Sequence, residues 1–146
     1  MKIDFSRKLV SRFLWSIIAA MIMLNIVHKI IISTLFDSIG GVFYVSYIVQ
    51  LILSVSSFFL LSKLSQTKGE QLGFYFLGLT LLKFLVYLVG FRIYFLRDGE
   101  VSALEYAIFF VPYLVALIIE IAFLIYALNK APIDLDKVVT YSDEEE

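Results

Sequence analysis

The chain has 146 residues, of which 61% are hydrophobic, 16% aromatic and 17% charged, and its formal net charge is −1. A soluble domain of this size needs a polar outer shell, because large exposed apolar patches promote aggregation, so the composition indicates a protein that lies in lipid. The absence of cysteine excludes disulfides, thiolate metal sites and thiol nucleophiles, and the lack of a clustered basic face argues against nucleic acid as a partner.

Four continuous apolar runs are long enough to cross a bilayer as helices. A hydrocarbon core of about 30 Å needs roughly 20 helical residues, and backbone in lipid must satisfy its own hydrogen bonds, which favours helices. The runs are residues 13–36, 42–61, 72–95 and 105–128. We therefore expect an all-α polytopic membrane protein with four transmembrane helices packed as two antiparallel hairpins.

The segments between these runs are short and polar. The N-terminal stretch begins like a signal peptide but lacks a small-residue cleavage site, which predicts a retained first span. The stretch DSIGG predicts a tight turn, and SKLSQTKGEQ and LRDGEVSAL predict loops punctuated by glycine. Residues 1–130 are thus the predicted transmembrane domain, and residues 131–146, which end in four acids, predict a flexible cytoplasmic tail.

Basic residues are concentrated on one side of this predicted topology. Eight lie in the N-terminal segment, the second connection and the C-terminal tail, whereas the other side has Arg97, together with Arg92 near the interface. Cytoplasmic segments of membrane proteins carry an excess of Lys and Arg. This bias and the even number of runs predict that both termini are cytoplasmic.

Four polar residues near the outer ends of their runs are predicted to be interfacial: Asn25, His28, Lys29 and Arg92. Lys29 follows the start of its run by 16 residues, and Arg92 by 20. At about 1.5 Å per residue both lie near the outer headgroups, where long side chains extend their charge to water. Because His28 is the only histidine, a histidine-rich metal site is excluded, and no metal or other cofactor is predicted.

Lys83 and Glu120 are the charged residues that the runs place inside the membrane. Lys83 lies 11 residues into its run, about 16 Å deep, where a charge costs roughly 3 to more than 10 kcal/mol. Since the last two runs are antiparallel, we expect an ion pair between Lys83 and Glu120. Three roles remain open: the pair fixes helix register, contacts a partner membrane subunit, or belongs to an ion or proton pathway.

Further polar side chains recur at helical spacing inside the runs. Steps of three and four residues place Thr80 and Tyr87 on the face of the third run that carries the lysine. The second run contributes Gln50 and Ser54, and the fourth contributes Tyr113. Small and hydroxylated residues line helix contacts in membranes, so these five residues are predicted to form a helix-contact or partner-binding face.

Pro112 interrupts the backbone hydrogen bonding of the fourth run. Proline has no N–H, so the carbonyl one turn earlier loses its helical donor. Neighbouring hydroxyls can satisfy such a carbonyl in a membrane. The sequence predicts a static bend here, with a functional hinge as the alternative.

The segment LGFYFLGLTLLKFLVYLVGFRIYF carries one lysine in the middle of an aromatic, leucine-rich run, and FVPYLVALIIEIAFLIYALNK follows it. In these features residues 70–130 resemble the ATP synthase protein I family, and still more a group of small four-span bacterial proteins encoded alongside ATP synthase genes. The first two runs depart from the family and lack its early glycines. The resemblance implies a bacterial cytoplasmic (inner) membrane location, a match of Lys83 to the family lysine, and an accessory role in assembling the rotary membrane ring or in magnesium supply.

The residues themselves separate the function classes only coarsely. The sequence has no nucleophile with a base, no carboxylate pair at catalytic spacing and no phosphate loop, which predicts a protein that is not an enzyme. We expect an integral membrane accessory protein that acts through helix–helix contacts. Its expected partners are the lipid bilayer, ATP synthase membrane subunits and, as an open alternative, further copies of itself. The competing hypothesis is a small ion or solute transporter or channel that uses Lys83 and Glu120.

Overall fold

A computed structural model describes residues 5–35, 41–95 and 103–130, and these residues are almost entirely helical. The elements are α1 (Arg7–Leu35), α2 (Gly41–Lys68), a 3₁₀ turn (Gly69–Gln71), α3 (Leu72–Val86), a π-helical turn (Tyr87–Phe91), α4 (Arg92–Phe95) and α5 (Ala103–Asn129). No strand occurs within the described ranges, in agreement with the all-α class. The predicted tail at 131–146 and most of the connections at 37–41 and 96–104 lie outside the described residues.

The prediction of four transmembrane helices packed as two hairpins is wrong. Within the described residues, three helices are long and apolar enough to cross a membrane: Arg7–Thr34, Gly41–Phe91 and Glu105–Asn129. The second has 51 residues and contains both middle runs. The reason is that the polar stretch expected as a loop is itself helical, because exposed polar side chains at the end of a helix leave the backbone hydrogen bonds intact.

The 51-residue helical run is folded back on itself at the 3₁₀ turn. Lys68, immediately before the turn, has φ −133° and ψ 41°, which lies outside the helical range. Ser54 and Lys83 both approach the carboxylate of Glu120. In a straight helix these two residues would lie about 44 Å apart, too far to reach the same carboxylate. α2 and α3 therefore lie side by side within the second helical run.

Three apolar clusters follow one another along the molecule. In the central cluster Phe13 of α1 stacks on Phe58 of α2, with ring centroids 3.7 Å apart and planes at 9°. One terminal cluster joins the start of α1, the end of α2, the start of α3 and the end of α5, through Leu9, Leu61, Leu72, Leu124 and Ala127. The other joins the π-helical turn to the first half of α5, through Phe91, Phe109 and Tyr113.

The two ends of the molecule differ in charge. We call the end with the Leu9 cluster the basic end, because the adjoining helix ends carry Arg7, Lys8, Arg12, Lys63, Lys68 and Lys130. The described basic residues nearest the opposite end are Lys29 and Arg92. Tertiary packing thus gathers onto one end charges that are widely separated in the sequence.

α3 buries a smaller share of its residues than α1, α2 or α5 does. It packs mainly against α2, and of its 15 residues only Leu72 and Lys83 are buried. Large apolar side chains project outward along its length, and Phe74 is 81% exposed. α3 is therefore a peripheral helix with an apolar outer surface that suits acyl chains or another membrane helix.

Candidate functional site

Lys83 and Glu120 form an ion pair inside the molecule. The Nζ atom of Lys83 donates to both carboxylate oxygens of Glu120, with 2.6 Å to Oε2 and a second contact to Oε1. Each residue is only 2% exposed. Charge-assisted bonds to both oxygens compensate part of the cost of removing the two charges from water. This pair links α3 to α5.

A column of buried polar side chains runs along α2 and reaches the pair at Ser54. Ser46, Gln50, Ser54 and Ser57 follow at intervals of three and four residues, and all four are buried. The hydroxyl of Ser54 lies close to the carboxylate of Glu120. The Ser54 Oγ nevertheless has no hydrogen bond of standard geometry to any described residue. The same is true of the amide oxygen and nitrogen of Gln50. These buried atoms leave hydrogen-bonding capacity unused at Ser54, beside the pair, and at Gln50, one helical turn away on α2.

The remaining members of the predicted contact face are placed differently. Tyr113 of α5 is buried and lies within electrostatic range of Glu120. Thr80 is half-buried, and its hydroxyl donates to the carbonyl of Phe76 on its own helix at 2.9 Å. The side chain of Tyr87 lies outside the described part of the chain. The structure thus brings Ser54 and Tyr113 close to the pair, whereas Thr80 bonds locally. Gln50 is buried one helical turn from Ser54 on α2.

Ser46 satisfies the carbonyl that Pro112 leaves without a helical donor. Its Oγ donates to the carbonyl oxygen of Ile108, four residues before the proline, at 2.8 Å. Ser46 is fully buried, so the bond joins α2 to α5 in the core. Sequence reasoning expected a compensating hydroxyl without identifying it; the signal was a serine one helical turn before Gln50 on the same face.

Of the four residues predicted to be interfacial, His28 differs in being buried by the protein itself. His28 is buried, and its Nδ1 lies 2.8 Å from the hydroxyl oxygen of Tyr47. The physical reason is helical periodicity, because His28 follows the buried Met21 by two turns and faces the same way. The prediction considered the position of His28 along the helix and did not consider which face of the helix it occupies.

The other three residues are more accessible. Lys29 is exposed, with its Nζ 5.8 Å from the centroid of the Tyr44 ring. Arg92 is also exposed, just beyond the π-helical turn. Asn25 is half-buried and lines an apolar cavity of about 320 Å³ between α1 and α2. Positions near the helix ends therefore include both water-directed charges and inward-facing polar groups.

Within ranges 5–35, 41–95 and 103–130, no three His, Asp or Glu side chains come together in a way that could hold a metal ion. The pair itself offers charge compensation and hydrogen bonding, and the amide of Gln50 and the hydroxyl of Ser54 on α2 have hydrogen-bonding capacity to spare. Comparison with protein-family models, curated proteins and solved structures gives no match for this chain. Function must accordingly be inferred from the residues and their geometry.

Proposed function

We propose that the protein is a non-enzymatic accessory subunit of a bacterial cytoplasmic membrane, which assists the assembly or stability of the ATP synthase membrane sector through helix–helix contacts. The partner is suggested by the resemblance of residues 70–130 to the ATP synthase protein I family. The mode of action is suggested by α3, whose sparse burial is the observation that carries the proposal. An apolar helix that buries only two of its own side chains has a surface free for a partner helix.

The ion pair supports this function by holding α3 in place. Lys83 is the one deeply buried charge on α3, and it reaches across to α5. A lysine that were free to face lipid would carry the cost of a charge in hydrocarbon. The pair thus tethers a peripheral helix and directs its apolar face outward.

The seclusion of the pair favours the accessory role over transport. A transporter needs its charged groups to meet water or substrate, and both members of the pair are almost completely covered by their own chain. The unpartnered atoms of Gln50 and Ser54 are the feature that would favour an ion path. Vesicles that contain the purified protein should therefore hold a proton or potassium gradient as long as empty vesicles do.

The proposed orientation has both ends of the described chain at the cytoplasmic face. Arg12 near the start of α1 and Lys130 after the end of α5 both lie close to Tyr126, so the two ends adjoin one another. The basic end carries most of the described positive charge. By the rule that cytoplasmic flanks are enriched in Lys and Arg, this end faces the cytoplasm.

Site-specific photocrosslinking in native membranes tests the partner. A photoreactive amino acid at Phe74 or Leu81, both exposed on α3, should form adducts with the ring-forming subunit of ATP synthase. The matched control places the same group at Trp15 or Ile22, which are exposed on α1. Equal yields of adducts from the α1 and α3 positions would count against the proposal. So would the absence of adducts with the ring-forming subunit from both helices.

A further inference from the structure

A small cavity opens at the basic end between the first turns of α1 and the last turn of α5. It has a volume of about 190 Å³ and is lined by Ser6, Lys8, Leu9, Arg12, Tyr126, Ala127 and Lys130. This volume is several times the roughly 30 Å³ that a water molecule occupies in the liquid. The cavity can therefore admit a group larger than a single water molecule.

Three positive charges meet at this cavity without a described acid to balance them. Lys8, Arg12 and Lys130 all line it, and none forms an ion pair with a carboxylate among residues 5–35, 41–95 and 103–130. Arg12 and Lys130 both lie close to the Tyr126 hydroxyl, and the Lys130 Nζ is 4.6 Å from the centroid of that ring. Like charges held together repel one another, so an anion placed among them is stabilised.

An apolar groove continues from the cavity along the outside of the helices. The groove has a volume of about 260 Å³ and is lined by Leu9, Arg12, Ala122, Phe123 and Tyr126. It shares Leu9, Arg12 and Tyr126 with the basic cavity. The groove leads from the charged end toward the middle of α5, which is the direction that an acyl chain takes from its headgroup.

We propose that this cavity and groove bind one anionic phospholipid of the surrounding bilayer, with the phosphate among Lys8, Arg12 and Lys130 and an acyl chain against Ala122 and Phe123. Guanidinium and ammonium groups are the usual protein ligands of phosphate. Basic pockets between membrane helices bind the headgroups of anionic lipids. The site is independent of the proposed ATP synthase partner, because it requires only the chain and the membrane.

Lipid titration of the full-length protein in neutral detergent tests this site. The shift of the melting temperature is followed as a function of added dilauroyl phosphatidylglycerol, dilauroyl phosphatidylcholine or inorganic phosphate. We expect saturable stabilisation by phosphatidylglycerol at concentrations where phosphatidylcholine has little effect. Equal stabilisation by the two lipids would overturn the proposal, and so would binding of inorganic phosphate as tight as that of phosphatidylglycerol.

Charge variants with a matched control locate the site. The double variant Lys8→Gln, Lys130→Gln removes two exposed cavity charges, and at about 1 kcal/mol for each charge it should weaken phosphatidylglycerol binding about 30-fold. The control Lys63→Gln, Lys68→Gln makes the same charge change at the same end of the molecule, outside the cavity. Similar weakening in both variants would show unspecific attraction to the basic end and would overturn the proposal.

Two further variants test the groove and the main competing occupant. Ala122→Trp fills the groove and should weaken phosphatidylglycerol binding, whereas Ala19→Trp, at an exposed position on α1, should not. Replacement of the terminal acids Asp143, Glu144, Glu145 and Glu146 by amides should leave lipid binding unchanged. If the lipid bound only to that amide variant, the acidic tail would be the occupant of the cavity and the lipid site would be disproved.

Discussion

At the scale of the residue, the ion pair between Lys83 and Glu120 illustrates how a buried charge is kept in a membrane protein. Removing both charges from water is expensive, and mutual attraction with bonds to both carboxylate oxygens offsets much of that cost. The net contribution of such a pair to stability is small. Loss of one partner is much more harmful, because it leaves the other charge buried without compensation.

The variant Lys83→Met should therefore lower the free energy of unfolding by about 3–5 kcal/mol, because the Glu120 carboxylate remains buried alone. The double variant Lys83→Met, Glu120→Met should recover most of this loss. Unfolding by SDS in mixed micelles, followed by circular dichroism, measures the full double-mutant cycle. Lys63→Met, at an exposed position, is the control and should change stability by less than about 0.5 kcal/mol. Additive losses in the double variant would contradict pairing.

The hydrogen bond from Ser46 to the Ile108 carbonyl gives a second prediction at this scale. Ser46→Ala should cost about 1 kcal/mol of unfolding free energy, because the carbonyl freed by Pro112 loses its donor. In a Pro112→Ala background the helix supplies its own N–H, so the same serine change should cost less. The same unfolding measurement applies to both backgrounds.

Ser33→Ala is the matched control for Ser46. The Ser33 hydroxyl is exposed and bonds to the carbonyl of Ile30 within its own helix at 2.9 Å, so its removal should have little effect. An equal cost of Ser46→Ala with and without the proline would show that the serine acts through packing instead of through the Ile108 carbonyl.

At the scale of the element, the 3₁₀ turn at Gly69–Gln71 determines the arrangement of the second helical run. The non-helical backbone of Lys68 lets α3 return along α2, and the contact of Lys83 with α5 then holds α3 beside the core. α3 contributes few buried apolar side chains of its own. Its position consequently depends on the turn at one end and the ion pair further along.

Spin labels at Ile52→Cys and Leu85→Cys measure the reversal directly, since both positions are exposed and the chain has no native cysteine. The two labels should lie within roughly 25 Å, about two helix diameters, whereas an unbroken straight helix would separate them by about 50 Å. Double electron–electron resonance in lipid nanodiscs gives the distance.

A pair of labels at Trp15 and Ile30 on α1 calibrates that distance measurement. Both side chains are exposed, and their separation along a single helix is about 22 Å. A distance near 50 Å for the pair at 52 and 85, with the α1 pair at its expected value, would rule out the turn.

At the scale of the whole molecule, the start of α1 and the end of α5 share the basic end. Leu9 packs in the same cluster as Leu124 and Ala127, so the molecule has one strongly basic end and one end with few described charges. In the proposed orientation the basic end faces the cytoplasm, because membrane proteins retain positive charge on that side. The packing of α1 against α5 at the basic end also forms the cavity proposed to bind an anionic lipid.

Cysteine labelling with a membrane-impermeant maleimide tests this arrangement in vesicles of defined sidedness. Ser11→Cys and Asn129→Cys should react from the same face, because both lie near the basic end and are exposed. Thr34→Cys, which is exposed near the other end of α1, should react from the opposite face. Reaction of Ser11→Cys and Asn129→Cys from different faces would exclude the described packing of α1 against α5.

The sequence by itself determined the helical class, the preference for lipid and the positions of Lys83 and Glu120 well inside long apolar helices. These properties depend on local composition and on the fixed rise of a helix, which the residues specify directly. The pairing of Lys83 with Glu120 could also be anticipated, since opposite buried charges on neighbouring runs have few other ways to be compensated.

Tertiary structure alone decided the number of separate helices, the direction in which His28 points and the identity of the hydroxyl that serves Pro112. The stretch from Lys63 to Gln71 has the polar residues of a loop, yet the continued backbone hydrogen bonding of α2 outweighs that local preference. The hydrogen-bond partners of His28 and Ser46 depend on which helix packs against their own. The sequence alone does not specify that packing. The cavity at the basic end likewise exists only because packing brings Lys8 and Arg12 next to Lys130, from the other end of the described chain.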